Sequence, residues 1–408
     1  MHCLWLTRKY PRPANSGELI YSEGLVSAFA EAGAEVVAVA HDNDEHPVAN
    51  RPAEEEYVDR DRVRWVLGEP RLGGRLMSLF TRLPSDSYRL MKGGPKDDLE
   101  RLLADREWDV VVADHAALGW ALPQLKAARR EGRFSRLVYV SHNHEAKIRR
   151  EIAANSFSSL PKRIAAQWDA EKYAWQENAL CAEADLITAI TETELAVYRE
   201  QFPDREYLCL TPGYRGHRDP DRQITEETPR RVLMCGSFEW IAKRINLERF
   251  LENSAKTFAD MGVEMQIVGK ADESFRREMK ERFPAVEFTG RVPDVTPYLK
   301  EARFGLIVEE FGGGFKLKAL EYVFHRLPLA GLRHAVDGMP LESPDDYLLM
   351  NTLPSLAREI AAAIDDVDRL NRMSRVSYEK CATAFEWEDR GRALHDAVSG
   401  ILQSPPAR

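Results

Sequence analysis

Gly312-Gly313-Gly314-Phe315-Lys316-Leu317-Lys318-Ala319-Leu320-Glu321 is the stretch whose reading decides the fold. It follows an apolar run at 303–309 with the character of a buried strand. It opens onto a segment with apolar residues at 317, 320, 323, 324 and 327, the stripe of a core-facing helix. Strand, glycine loop and helix in succession form one unit of an α/β sheet. Glycines let backbone N–H groups approach an anion, and a helix N-terminus adds the positive end of its dipole. Lys316 and Lys318 add full charges, and Lys318 and Glu321 are neighbours on the helix surface. A flexible turn before a surface Lys–Glu pair is the plainer alternative. Three glycines leading directly into the helix favour a site for a nucleotide diphosphate.

Outward from this stretch the same unit recurs. Apolar runs lie at 3–6, 35–40, 109–114, 136–141 and 185–190, then at 231–235, 263–268, 303–309 and 328–331. Helix-length segments such as 18–32, 161–183, 247–261 and 316–326 fall between them. Val/Ile/Leu-rich runs each followed by a helix predict parallel sheets covered on both faces, an α/β class. The tract 212–229 has no apolar period but carries Pro212, Gly213, Gly216, Pro220 and Pro229. This predicts a domain over 1–212, a linker over 213–229, a second domain over 230–384, and a closing helix within 385–408 that crosses back to the first. In such sheets ligands bind beyond the C-terminal strand ends, so a cleft between two domains is the expected site.

Composition agrees with this division. The 408 residues exceed one ordinary core. No apolar run approaches the ~20 residues of a membrane span. The opening, Met1 to Tyr10, reads as a first strand and not as a leader. Five scattered cysteines without metal spacing predict reduced thiols and neither disulfides nor zinc, so a cytoplasmic location is expected. A net charge of −9 argues against nucleic-acid binding.

Three further strand ends carry polar or glycine residues. Cys235-Gly236-Ser237-Phe238-Glu239-Trp240-Ile241-Ala242-Lys243 leads to a helix predicted to begin near Asn246. Ser141-His142-Asn143-His144-Glu145 ends a first-domain strand, with Lys147, Arg149 and Arg150 following. Pro13-Ala14-Asn15-Ser16-Gly17-Glu18 follows the first strand. Each alone is compatible with an ordinary turn.

Taken in order, these motifs resemble the retaining GT-B glycosyltransferases that use nucleotide-diphosphate sugars. Gly312–Glu321 is similar to the Gly-Gly-Gly-x-Lys/Arg-x-Lys-x-Leu-Glu form of a subgroup containing bacterial exopolysaccharide enzymes. The resemblance implies two Rossmann-like domains facing a cleft, with polysaccharide or glycoconjugate biosynthesis as the setting. It implies that Glu321 accepts hydrogen bonds from ribose hydroxyls. Lys243, Lys316 and Lys318 would hold the diphosphate with the N–H groups of Gly312, Gly313, Gly314 and Phe315. His142 would line the donor-sugar pocket, and Gly17 and Gly236 would let backbone approach the donor. UDP or GDP is the implied nucleotide, with no cofactor and no metal. The family's first glutamate is Gly313 here, which leaves the 313–315 backbone, Glu309 and Glu310 as candidates for the sugar hydroxyls. Ser237 replaces an arginine of the family pattern.

Two rival functions fit parts of the pattern. A non-hydrolysing nucleotide-sugar 2-epimerase would keep the fold, but the acidic constellation it needs is not evident in the first-domain sequence. A sugar-nucleotide-binding partner without catalysis would suit Gly313 and the unusual 322–326 helix. Finally, residues 71–92 and 147–163 mix basic and apolar side chains. They read either as solvated helix faces, the plainer reading, or as a peripheral contact with an anionic membrane.

Overall fold

The computed structural model describes residues 1–42, 58–68, 75–92, 94–155, 159–310 and 314–404. The chain divides into two compact units, Met1–Gly213 with Glu386–Arg408, and Tyr214–Phe385.

The first unit is built on β1 (His2–Lys9), β2 (Glu35–His41), β3 (Val58–Arg60), β4 (Val63–Gly68), β5 (Trp108–Asp114), β6 (Phe134–Val140), β7 (Leu186–Ala189) and β8 (Glu206–Cys209). Their order is β3-β4-β2-β1-β5-β6-β7-β8. The β3–β4 pair is antiparallel, and the other pairs are parallel. Successive residues of β1 and β5, such as Leu4, Trp5, Val111 and Val112, are all buried. A strand covered on both faces must be apolar at every position, which is why these runs were legible. β3, β4 and β8 were not predicted. Arg62 and Arg64 flank Val63 in β4, and Glu206 opens β8, so neither reads as a continuous apolar run.

The helix Trp387–Gln403 belongs to this unit and lies along the helix Gly17–Glu31. Gly391 permits the close approach, since a Cβ there would lie 2.1 Å from the Ala28 carbonyl oxygen. Trp387 fills the space that a side chain at Gly24 or Gly213 would need. Arg136 donates to the Ile401 carbonyl at 2.7 Å and fixes the other end.

The second unit carries β9 (Arg231–Cys235), β10 (Glu264–Val268), β11 (Val286–Gly290), β12 (Phe304–Ile307), β13 (Leu329–Leu332) and β14 (Leu348–Met350), all parallel in the order β11-β10-β9-β12-β13-β14. The polar tract 214–229 is strapped to this unit. Buried Arg222 donates to the carbonyls of Arg326 and Ala302, both at 2.6 Å. Ile224 exchanges hydrogen bonds with the Asn371 amide at 2.9 and 2.8 Å. Charge patterning alone hides this anchoring, because the arginine is satisfied by carbonyls distant in sequence.

Candidate functional site

In the second unit the strand order reverses between β9 and β12, where chains leaving neighbouring strands part and open a crevice. β9 exits into Gly236 and the loop before Lys243. The helix there starts at Ile241, five residues earlier than predicted. Buried Ala242 and Asn246, one turn apart, seat its first turn on the sheet. Lys243 therefore lies within that first turn and not in a loop. The Gly236 N–H is taken by the Val268 carbonyl at 3.0 Å. The glycine that this crossing requires is Gly269, with φ +141 and its α-carbon pressed against the Gly236 carbonyl.

β12 exits into Glu309, and the helix Leu317–Phe324 brings Lys318 back over it. Lys318 Nζ donates to Glu309 Oε1 at 2.5 Å, and Glu309 Oε2 is buried without a hydrogen-bond partner among the described residues. Burial would raise the Glu309 carboxyl, but Lys318 and Lys316 overcome it and hold the group down to about 2. Lys243 belongs to the same electrostatic cluster. Burial, then Lys318, lowers its pKa against the pull of Glu309. The structure thus brings Lys243, Lys316 and Lys318 together around one carboxylate. Glu310 points elsewhere, toward Arg249 at 3.5 Å, with its backbone N–H on the Asn246 side-chain oxygen at 3.0 Å.

Gly312 and Gly313 lie outside the described residues. Gly314 has φ +76, a left-handed conformation that glycine adopts without strain. Phe315 packs toward Phe385 with ring centroids 5.8 Å apart, so its side chain anchors the loop to the unit's core.

Glu321 lies one turn beyond Lys318. The Tyr214 hydroxyl is 3.1 Å from its Oε2 and 3.0 Å from the His217 carbonyl. His325 Nδ1 donates to the Glu321 carbonyl at 2.9 Å, which leaves Nε2 buried and unpartnered among the described residues. Burial raises the Glu321 pKa, with nearby histidines and the tyrosine hydroxyl opposing it. Tyr214 and His325 escaped the sequence reading. The signal was present in the helix, where bulky Tyr322-Val323-Phe324-His325 stands where small residues are usual. Tyr322 lies over Gly305 and its hydroxyl accepts from the Cys235 N–H at 2.8 Å.

The first unit has its own reversal, between β1 and β5. His142, just past β6, places Nε2 2.5 Å from Asp114 Oδ1 at the end of β5. Both side chains are almost wholly buried. Burial opposes the His142 charge, yet Asp114 overrides it and raises the pKa. Tyr21 meets the imidazole edge-on at 5.0 Å and Trp5 Nε1 donates to the other Asp114 oxygen at 3.2 Å, so the ring is fixed. Gly17 opens the helix whose N-cap, Ser16, accepts from the Leu19 N–H.

Beside His142 the fold assembles an acidic constellation that the sequence reading did not find. Glu18 accepts two hydrogen bonds from Arg8, both at 3.0 Å. Asp86 accepts from Tyr173 at 3.0 Å and Arg149 at 3.2 Å. Glu145 accepts from Arg149 at 2.9 Å and faces His115 Nε2 at 3.4 Å. Each carboxylate starts a different helix and is held below its ordinary pKa despite burial, chiefly by these arginines. His115 has φ +111, an uncommon conformation for a residue with a side chain, and its Nδ1 accepts from the Ala117 N–H. The pair Asp114-His115 directly after Val110-Val111-Val112-Ala113 was the available signal, since polar residues at a strand's C-terminal end point to a site. Among the described residues there is no group of three His, Cys, Asp or Glu arranged to hold a metal ion.

A glycosyl transferase 4-like domain model matches residues 16–213, and a model of the glycosyl transferases group 1 matches residues 229–366. No curated protein matches in a sequence search. Among solved structures, Anabaena Alr3699/HepE in complex with UDP is 13% identical, with 98% of this chain and 100% of that chain covered at a TM-score of 0.63. The pneumococcal O-GlcNAc transferase GtfA in complex with UDP and GlcNAc is 13% identical, with 99% of each chain covered at 0.65. The E. coli trehalose-6-phosphate protein bound with UDP-2-fluoro glucose is 13% identical, with full coverage of both chains, 100% and 100%, at 0.61. At such identities the likeness concerns the fold, two parallel-sheet α/β domains of the GT-B kind. With the two domain models matched in order along most of its length, the chain belongs to the glycosyltransferases, a 4-like domain followed by a group 1 domain, and is an enzyme of that class.

Proposed function

We propose that this enzyme transfers a sugar from a nucleoside-diphosphate donor, UDP or GDP, to an acceptor hydroxyl with retention of anomeric configuration and without a metal ion. The observation that carries the reading is the gathering of Lys243, Lys316 and Lys318 around the exit of β12, next to the N-terminus of the helix Leu317–Phe324. As the bond to the anomeric carbon breaks, negative charge accumulates on the departing diphosphate. Preorganised lysines stabilise that charge more than the ground state and so lower the barrier. UDP or UDP-sugars bound in fold neighbours support the donor class.

Glu321 takes the ribose hydroxyls. Glu309 takes a hydroxyl of the sugar through its unpartnered Oε2, in the role of the glutamate that Gly313 lacks. His142, oriented by Asp114, contacts the sugar. The acceptor's proton goes to the leaving phosphate, so no carboxylate nucleophile is required. The carboxylates of the first unit suit this scheme, because arginines hold them ionised and disfavour their protonation.

The same acidic cluster is the one feature that favours a 2-epimerase. Incubating donor without acceptor separates the two, since an epimer appears only under that reading. The binding-only alternative predicts nucleotide binding with no turnover on any acceptor. The direct test of the proposal is a thermal-shift screen of UDP, GDP, ADP, dTDP and their sugars. A ligand at about a hundred times its Kd stabilises the native state by about 2.7 kcal/mol. A screen in which no nucleoside diphosphate raises the melting temperature removes the donor assignment.

A further inference from the structure

Two basic, apolar stretches far apart in the sequence converge on one face of the first unit. The helix Leu160–Glu183 begins with two turns that are almost entirely exposed. Leu160, Ile164 and Trp168 recur every fourth residue there, share one side of the helix, and are 58%, 57% and 58% exposed. Leu79 meets that side, and with Pro161 and Ala165 these residues line an open groove of roughly 470 Å³. Phe80, the next residue, is 84% exposed. Lys172 secures the two segments to each other by donating to the Ser78 carbonyl at 2.7 Å.

Exposed cations occur in both segments that form this groove. Arg82, Lys162 and Arg163 are exposed and make no ion pair among the described residues. Arg150, on the neighbouring helix, is by contrast paired with Glu171 at 2.7 Å. Unpaired cations beside exposed Trp, Phe, Leu and Ile side chains match what lies at the level of lipid headgroups. The apolar groups enter the acyl boundary while the cations remain with the phosphates.

We propose that this face docks the enzyme on an anionic lipid bilayer. A second copy of the chain is a poorer occupant, because a two-fold contact would set the same cations against each other. A soluble polyanion would satisfy the cations and leave the large apolar side chains in water, where a contiguous patch is costly. A net charge of −9 over the whole chain makes this local excess of cations the more specific.

The test is co-sedimentation of the full chain with phosphatidylglycerol vesicles and, separately, with phosphatidylcholine vesicles. Binding is expected to the anionic vesicles alone and to weaken as salt is raised. Reversing no charge but removing two, in Lys162→Gln/Arg163→Gln, should cost about thirtyfold in affinity. Trp168→Ser should weaken binding with little change in the melting temperature, since more than half of the side chain is already exposed. The Gln pair gives an independent readout should the serine variant fold poorly. Equal recovery from both vesicle types, no recovery from either, or variants that bind like the wild type would overturn the proposal. Self-association in solution that Trp168→Ser abolishes, without vesicle binding, would overturn it in favour of an interface between copies.

Discussion

Lys318 Nζ and Glu309 Oε1 lie 2.5 Å apart, and the ion pair joins the helix Leu317–Phe324 to the end of β12. Without a donor, Glu309 is the anion that the lysine cluster surrounds. With a diphosphate present, the same lysine has a second anion to serve. Its removal should therefore act on both catalysis and stability. Lys318→Ala is expected to lower the transfer rate by about 10²–10³. It should also lower unfolding free energy by about 3 kcal/mol, because a buried carboxylate loses the ammonium that hydrogen-bonds it. Adding Glu309→Gln should restore most of the stability and none of the transfer. Rate assays with denaturant titrations of the single and double variants read both effects; full transfer by Lys318→Ala would exclude the residue from the chemistry.

Lys243 makes a prediction about pH. Its pKa is depressed by burial and by Lys318, so it loses its proton at a lower pH than the ordinary 10.5. The cradle's positive charge then declines on the alkaline side sooner than an exposed lysine would allow. Calorimetric affinity for the nucleoside diphosphate should fall as pH rises through that value. In Lys243→Arg, whose guanidinium stays charged, the alkaline decline should disappear. An identical decline in both proteins would assign it to another group.

Glu321 predicts the opposite limb. Its carboxyl is raised by burial, so as pH falls it protonates earlier than a glutamate at its ordinary 4.5, and the ribose contact proposed for it should weaken. Glu321→Gln should bind the nucleoside diphosphate about tenfold to a hundredfold more weakly, the cost of a hydrogen bond to a charged group. It should bind inorganic pyrophosphate as the wild type does. Comparable losses for both ligands would place the residue on the phosphates.

The His142–Asp114 pair predicts a window of stability. Asp114 is held below its ordinary 3.8, so its contribution is present above that value and is lost as pH falls through the folded one. His142 is raised above its ordinary 6.5, so its contribution is complete below that value and is lost as pH rises through the folded one. Wild type should exceed His142→Ala most in mildly acidic solution, by about 3 kcal/mol, with the gap narrowing toward alkaline pH. Chemical denaturation at several pH values measures it. A gap independent of pH would mean that packing against Tyr21, and not charge, sets the effect.

Chelation is a further check. If lysines and a helix N-terminus alone neutralise the leaving group, transfer should be unchanged in excess chelator and unaffected by added magnesium or manganese. Loss of activity that a divalent ion restores would add a metal to the mechanism.

The strands that were legible are those buried on both faces. β1, β5 and β9 read as unbroken apolar runs because each successive side chain meets a covering helix. The edge strands β3 and β14, three residues long each, were not legible, nor was β4 beside β3, which carries an exposed arginine at 64. The candidate site residues of the second unit could be named from the sequence, since Gly314, Phe315, Lys316, Lys318 and Glu321 lie within eight residues of one another and Lys243 follows a strand–glycine junction. Their partners were less legible. Glu309 stood as one of three candidates, and only its burial beside Lys318 distinguishes it from Glu310, which leans toward Arg249.

Local periodicity and spacing determined the class of fold, the division into two α/β halves and the position of the cationic helix start, because each depends on residues within a turn or a strand of one another. The tertiary structure alone decided which groups face those residues. Asp114 reaches His142, Arg8 reaches Glu18, Arg149 joins Asp86 to Glu145, and Tyr214 meets Glu321. These pairs come from different strands and helices, and nothing in the spacing of one segment encodes the charge that another will bring against it. The same holds for the groove at Leu79 and Trp168. An apolar residue in a helix reads as core until the fold leaves it without a neighbour.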